Sequence, residues 1–462
     1  MFHAMCRGAL LQTYRHLGQE TLPEAKSSPG MKRRSKFTFL RVVTFCLLSA
    51  VNAQGTDWPC WRGPDGDGKS PLKGIRKDWT GGLKKVWEYN DLQPKNSKFD
   101  TWSAVSVKGG NVVVPGRYDN KDVVFCFDAS TGTLLWKGQY DASGDSLWGG
   151  GSRATPYIDG DKVYTFGRMG HLACWNLKDG TRKWIRNVHD EGGLTPLYGH
   201  SSSPLVYKDL VIVQGGGRAQ TIAFNKKNSV VVWKSDMTGV AGYASPILAR
   251  LNGKDQILVF NGAGGQGRDG NTPGRIAGLD PGTGKRIWES PWWCELDVFA
   301  ATPVVDGDTV FITTGYGGGG CKLARVSETK ATQVWEHWKD KIIASLHSDP
   351  IVLDGYIYCY SGMSSGRGEL QSVELKTGRL MWSAGEQVGH GTIVLVDGHL
   401  LCLSNRGDLF LVEPNPKAFR KVTEFRGAIP DVRGYAWTVP VVANGKLYLR
   451  LKERLICYDL MK

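Results

Sequence analysis

Seven tryptophans recur along the chain at the ends of short apolar runs: Trp87, Trp136, Trp184, Trp233, Trp288, Trp335 and Trp382. Between them returns a second phrase, a small or hydroxyl residue followed by proline and two apolar residues. It reads Ala154-Thr155-Pro156-Tyr157-Ile158, Ser202-Ser203-Pro204-Leu205-Val206 and Ala244-Ser245-Pro246-Ile247-Leu248. It returns as Ala301-Thr302-Pro303-Val304-Val305, Ser348-Asp349-Pro350-Ile351-Val352 and Trp437-Thr438-Val439-Pro440-Val441. Self-similarity at about 40–50 residues marks a solenoid, propeller or array, in which each unit buries its apolar face against the next.

One unit shows which. Thr155-Pro156-Tyr157-Ile158 reads as an inner strand, with proline at its start, where no ladder donor is lost. Asp159-Gly160-Asp161 is a tight turn, Lys162–Phe166 alternates as a second strand, and His171–Asn176 is a third. Asp179-Gly180 turns into an outer strand that ends at Trp184. Four antiparallel strands joined by short glycine turns make one propeller blade. Inner strands begin near Ser103, Thr155, Ser203, Ser245, Thr302, Asp349, Thr392 and Val439, which makes eight. The chain stops at the third strand of the eighth unit, Leu455–Leu460, while a surplus strand, 83–89, precedes the first. The reading is an all-β, eight-bladed propeller of four-stranded antiparallel blades over 83–460, its last blade closed by this N-terminal strand. The tryptophans are expected to wedge between neighbouring blades.

The first 53 residues stand apart. Residues 1–30 show no strand or helix pattern. Met31-Lys32-Arg33-Arg34-Ser35-Lys36 is a basic stretch ahead of the apolar run Phe37–Ala50, and Val51-Asn52-Ala53 offers small residues for cleavage. This is the pattern of a secretory signal peptide, with Met1 or Met31 as the start, and it places the mature protein in the periplasm or outside the cell. Residues 54–82 form a Trp/Gly-rich arm. The formal charge is +14, but residues 1–53 hold eight basic and two acidic side chains, so 54–462 carries an excess of eight. That excess is spread out, without the clustered basic face of a nucleic-acid binder. No transmembrane segment is expected after processing, and a monomer is expected.

Eight of the ten cysteines lie beyond residue 53. Cys126, Cys174 and Cys457 occupy one place in three repeats, and Cys359 and Cys402 sit in apolar strands; these read as core residues. Cys60, Cys294 and Cys321 read as lying in connections, where an oxidising compartment permits pairing. Their pairing stays open.

The proline phrase, the Asp-Gly turn and the exit Leu279-Asp280-x-x-Thr283-Gly284-x-x-x-Trp288 together resemble the pyrroloquinoline-quinone (PQQ) repeat, over about 83–460. That family holds eight-bladed quinoprotein alcohol dehydrogenases and a non-enzymatic propeller lipoprotein of the outer-membrane β-barrel assembly machine. The opening Trp58-Pro59-Cys60-Trp61-Arg62-Gly63-Pro64 resembles that of exported PQQ-like propellers abundant in planctomycete-type bacteria. For the dehydrogenases the resemblance implies adjacent cysteines against the cofactor, a Cys-x-x-Cys-His haem in many, and a catalytic Asp ahead of an inner strand. Neither cysteine motif is present. The nearest match to the Asp setting is Trp293-Cys294-Glu295-Leu296-Asp297, so Glu295 or Asp297 is the candidate base or calcium ligand, with PQQ and calcium as cofactors on that reading alone.

Other signals are weaker. Asp65-x-Asp67-Gly68 lacks the remaining ligands of a calcium loop. Gly215–Arg218, the stretch 262–268 and Gly317–Gly320 lack the strand-to-helix context of a nucleotide site and read as connections. Loops entering the inner strands converge on one mouth of the central channel. Arg153, His200, Tyr243, Phe299, His347, His390, Tyr435 and Trp437 stand there as candidate ligand-binding residues, with no metal site assigned. The expected function is an exported binding or scaffolding module of the cell envelope, receiving an envelope protein or small molecule at that mouth. A quinoprotein alcohol dehydrogenase is the alternative, and a carbohydrate-binding propeller a third class.

Overall fold

The computed structural model describes residues 55–95, 101–144, 150–262, 273–362 and 368–462. The basic and apolar stretches before residue 55, and most of the glycine-rich stretch 262–268, lie outside them. Among the described residues every regular element is a strand or a short 3-10 turn. The strands form eight four-stranded antiparallel sheets, with blades at 106–141, 157–187, 205–234, 247–292, 304–338, 351–383, 391–425 and 441–459. The eighth lacks an outer strand of its own. Lys85–Tyr89 supplies it, pairing antiparallel with Arg454–Asp459 so that Trp87 faces Cys457. Both ends of the repeat are thereby paired, leaving no open edge between first and last blade.

The tryptophan rhythm has a physical basis. Each outer strand carries a register shift beside its tryptophan position, as between Cys126 and Phe127 opposite Trp136. The indole then leans onto the next blade. Trp87 Nε1 donates to Ala129 O (3.0 Å), Trp136 to Leu177 O (2.7 Å), Trp233 to Pro281 O (3.0 Å) and Trp335 to Leu375 O (2.8 Å). The accepting carbonyl opens the turn that carries the motif glycine. In blade 1, Asp128 Oδ1 accepts the Ser130 and Thr131 amides, and Gly132, at φ +72°, donates to Asp128 O. The glycine is needed twice over: for its left-handed backbone, and because a Cβ there would lie 2.6 Å from the Trp87 ring. Gly180, Gly284 and Gly378 meet Trp136, Trp233 and Trp335 in the same way. Removing such a buried indole costs about 3–5 kcal/mol.

Blade 7 has Thr423 at the tryptophan position, and the arm compensates. Phe425 faces Gly82, while Trp79, fully buried, donates its amide to Thr423 Oγ1 (3.0 Å). Arg76 N takes the Leu460 carbonyl (2.9 Å), the acceptor that an indole takes elsewhere.

All eight described cysteines are buried free thiols. Cys321 lies inside the strand Gly320–Val326 and not in a connection. Cys60, Cys294 and Cys321 each turn their Sγ to a different nearby carbonyl, Gly63 O, Val298 O and Ile342 O. Burial pushes the Cys60 and Cys294 thiols up to about 12. Among the described cysteines none is paired with another.

Candidate functional site at the channel mouth

The arm does not lie along the outside of the ring. Trp58 exchanges backbone hydrogen bonds with Val107 of blade 1 (2.9 and 2.8 Å), and Pro59 O accepts from Ile158 N of blade 2 (2.8 Å). Trp61 Nε1 then reaches Thr302 Oγ1 of blade 5 (2.9 Å). Arg62 lies against blade 6, and Lys69–Ser70 adds a parallel strand to the inner strand Gly391–Val396 of blade 7. Ser70 Oγ donates to Val442 O of blade 8 (3.4 Å). The segment 58–70 thus touches inner strands on opposite sides of the channel and fills its interior.

The hydroxyl of the proline phrase links neighbouring blades. Ala104 N donates to Thr155 Oγ1 (3.1 Å), Thr155 N to Ser203 Oγ (2.9 Å) and Ser203 N to Ser245 Oγ (2.9 Å). In blade 6 the hydroxyl residue is replaced by Asp349. Its Oδ1 accepts Thr302 N (2.6 Å), and Oδ2 lies 3.2 Å from Arg62 Nη1. Both side chains are buried. Burial raises the Asp349 carboxyl, and the Arg62 guanidinium opposes that rise. Arg62 spends its other donors on Gly66 O, Asp67 O and Pro350 O. The one blade whose phrase carries an acid is the blade that anchors the arm's arginine.

Above this plug the mouth opens as a cup of about 220 Å³. Trp61 comes from the arm. Trp102, Arg153, Tyr243, His347 and Trp437 come from the residues leading into inner strands, with Tyr198 and Tyr316 from neighbouring loops and Val298, Ala300 and Leu346 as apolar wall. The rings support one another. Trp437 stacks on Tyr435 (5.0 Å, 3°) and lies 5.1 Å from Trp102 and 5.0 Å from His347. The Arg153 guanidinium lies 4.7 Å over the Trp102 ring and donates to Tyr198 O. Tyr198 N in turn donates to Tyr243 Oη (3.3 Å). Burial holds His347 well below its ordinary value, and neighbouring His390 pushes the same way, so the ring is neutral at neutral pH. Among the described residues of the lining, Arg153 is the one charged side chain.

Of the eight residues that the inner-strand rule selects, the structure brings Arg153, Tyr243, His347 and Trp437 together around the cup, with Tyr435 behind Trp437 and exposed. His200, Phe299 and His390 are buried behind the wall. His200 packs on Phe166 (5.0 Å), Phe299 on Phe260 (4.7 Å) and His390 on His347 (5.1 Å). Desolvation lowers His200 to about 3 and His390 to about 4. Trp102 obeys the same rule, standing just before Ser103, and belongs in the set. Trp61, Tyr198 and Tyr316 lie on the arm and on loops, where no spacing points to them.

Glu295 and Asp297 fall in a short 3-10 turn, Glu295–Asp297, in which Leu296 and Asp297 both have left-handed backbone (φ 57° and 55°). Glu295 is exposed beside Gly317. Asp297 is buried behind Val298, so close to Gly262 that a Cβ there would lie 2.4 Å from its Cγ. Among the described residues no three His, Cys, Asp or Glu side chains converge as metal ligands. The adjacent cysteines that the dehydrogenase resemblance implies are also missing from the sequence.

The comparisons follow the fold. A family model described as outer membrane protein assembly factor BamB matches residues 80–185 and 120–384, together more than half of the chain. The outer membrane protein assembly factor BamB of Moranella endobia (strain PCIT) is 21% identical over 337 residues, covering 70% of this chain and 67% of that protein. A quinoprotein ethanol dehydrogenase of Pseudomonas aeruginosa is 25% identical over 147 residues, but only 31% of this chain and 23% of that enzyme are covered. Among solved structures, BamB from Moraxella catarrhalis superposes with a TM-score of 0.56 at 17% identity, over 82% of this chain and 97% of that one. The quinohemoprotein alcohol dehydrogenase from Comamonas testosteroni gives 0.62 at 14% identity, over 88% and 81%. At these identities the superpositions show a common fold. The family match goes further: the chain belongs to the family of the outer membrane protein assembly factor BamB.

Proposed function

We propose that this protein is an exported PQQ-like propeller that acts as a binding or scaffolding module of the cell envelope, taking its partner at the channel mouth. It works as a monomer in the periplasm or outside the cell, after cleavage near Ala53, and belongs with the planctomycete-type propellers that share its Trp-Pro-x-Trp-Arg-Gly-Pro opening. One observation carries the reading: the arm fills the channel interior and leaves at the mouth a shallow cup walled by aromatic rings. A cup of this kind offers an apolar recess with a few polar edges, which suits recognition. The described lining holds no Asp, Glu, Cys or Lys, and among the described residues no three His, Cys, Asp or Glu side chains converge as metal ligands. The relatives named as an assembly factor point the same way. Among the described residues no helix is long and apolar enough to cross a membrane.

The rival reading, a PQQ- and calcium-dependent alcohol dehydrogenase with Asp297 or Glu295 as base, is separated by reconstitution. Purified protein is incubated with PQQ and Ca²⁺, then assayed for a bound quinone spectrum and for dye reduction by alcohols. The binding reading expects neither. Stoichiometric quinone with alcohol-dependent dye reduction, lost in Asp297→Asn, overturns it.

A further inference from the structure

We propose that the mouth cup receives a single aromatic side chain presented by an acidic segment of a partner polypeptide. The inference rests on the binding-module reading and names the ligand class of the same site. Size comes first. Pockets for drug-sized ligands and cofactors run to about 300–1,000 Å³, and a cup of about 220 Å³ falls below that range. It has room for one or two rings. Chemistry comes second. The walls are aromatic and aliphatic, and among the described residues of the lining the one charge is the Arg153 guanidinium, which already lies over Trp102. An incoming ring meets apolar surface and a cation disposed for stacking, the surroundings that aromatic anchors occupy at interface centres.

The surrounding surface favours a polypeptide over a free sugar. Leu197, next in the chain to Tyr198, and Tyr435, stacked on Trp437, are exposed apolar side chains beside the cup. A saccharide gains little from such a rim, whereas a polypeptide carrying the anchor buries it. Charge sets the flanking sequence. Arg153 is the charged side chain of the described lining, so an acidic neighbour of the anchor is complementary to it.

The test uses the mature protein and three probes followed by calorimetry and ligand-observed NMR: Ac-Asp-Trp-Asp-NH2, Ac-Asp-Ala-Asp-NH2 and methyl β-glucoside. The tryptophan peptide is expected to bind saturably and to weaken with added salt, and the alanine peptide and the glucoside are not expected to bind. Ala300→Trp, which fills the cup, is expected to abolish binding. Arg153→Gln is expected to weaken it by about three- to tenfold. Circular dichroism and thermal midpoints establish that both variants fold. Equal binding of the alanine peptide, binding of the glucoside alone, or no binding of any probe up to millimolar concentration overturns the proposal. Peptide failure in a protein that also fails to reconstitute as a quinoprotein removes this inference and leaves the binding-module reading standing.

Discussion

Arg62 and Asp349, 287 positions apart, meet in the channel with 3.2 Å between Nη1 and Oδ2, both side chains buried. The contact joins the arm to the one blade whose repeat phrase has an acid in place of a hydroxyl. A buried charge that loses its partner is costly, about 3–5 kcal/mol. Arg62→Met is therefore expected to destabilise the domain by that amount in urea denaturation. Adding Asp349→Ser should recover part of the loss. Serine removes the stranded carboxylate and supplies the hydroxyl that Ser203 and Ser245 give their neighbours. A double variant no more stable than Arg62→Met would show that the pair is not coupled.

The docking of tryptophan on glycine separates backbone strain from packing. Gly132 and Gly160 both have positive φ (72° and 57°), but only Gly132 faces an indole. Gly160→Ala meets nothing within 4 Å and is expected to cost about 1–2 kcal/mol, the strain of a left-handed alanine. Gly132→Ala is expected to cost about 1–3 kcal/mol more, because Trp87 must move. Paired denaturation midpoints measure the difference. Equal losses would mean that the indole contact adds nothing.

Buried histidines make stability fall in mild acid. His200 and His390 are lowered to about 3 and about 4, while the unfolded chain titrates near 6.5. Between those values the unfolded state binds more protons, so the histidines' contribution to stability is flat above about pH 7 and declines as pH drops toward 4. At pH 5 each histidine accounts for about 2 kcal/mol of that loss. His200→Gln should reduce the slope of stability against pH by close to one proton between pH 5 and 6. An unchanged slope would contradict the assignment.

The repeat was legible because its signals are local. The Thr-Gly turn, the proline phrase and the tryptophan each lie within a dozen residues, and they yield eight blades and the strand that closes the last one. What escaped depends on contacts between distant segments. Thr155 reads as the start of a strand, and nothing near it says that its hydroxyl accepts the Ala104 amide from the preceding blade. The motif Trp58–Gly63 marks an arm, but its course through the channel depends on partners such as Thr302 and Asp349 far along the chain. Position before an inner strand finds Arg153 and Trp437. It does not tell a side chain that faces the cup from one that turns back into the blade, as His200 and Phe299 do. That choice is made by the neighbours Phe166 and Phe260. Cys321 reads from the sequence as part of a connection because the Gly317–Gly320 run beside it masks the start of a strand.

Site-specific photo-crosslinking in the producing cell tests the central claim, recognition at the mouth, most directly. A benzoylphenylalanine replaces Ser201 in the cup lining, or Leu135 on the exposed outer strand of blade 1 as control. The account predicts a discrete adduct with an envelope component from position 201, none from position 135, and loss of the adduct when Ala300→Trp fills the cup. Equal adducts from both positions, or an adduct from position 135 alone, would contradict it.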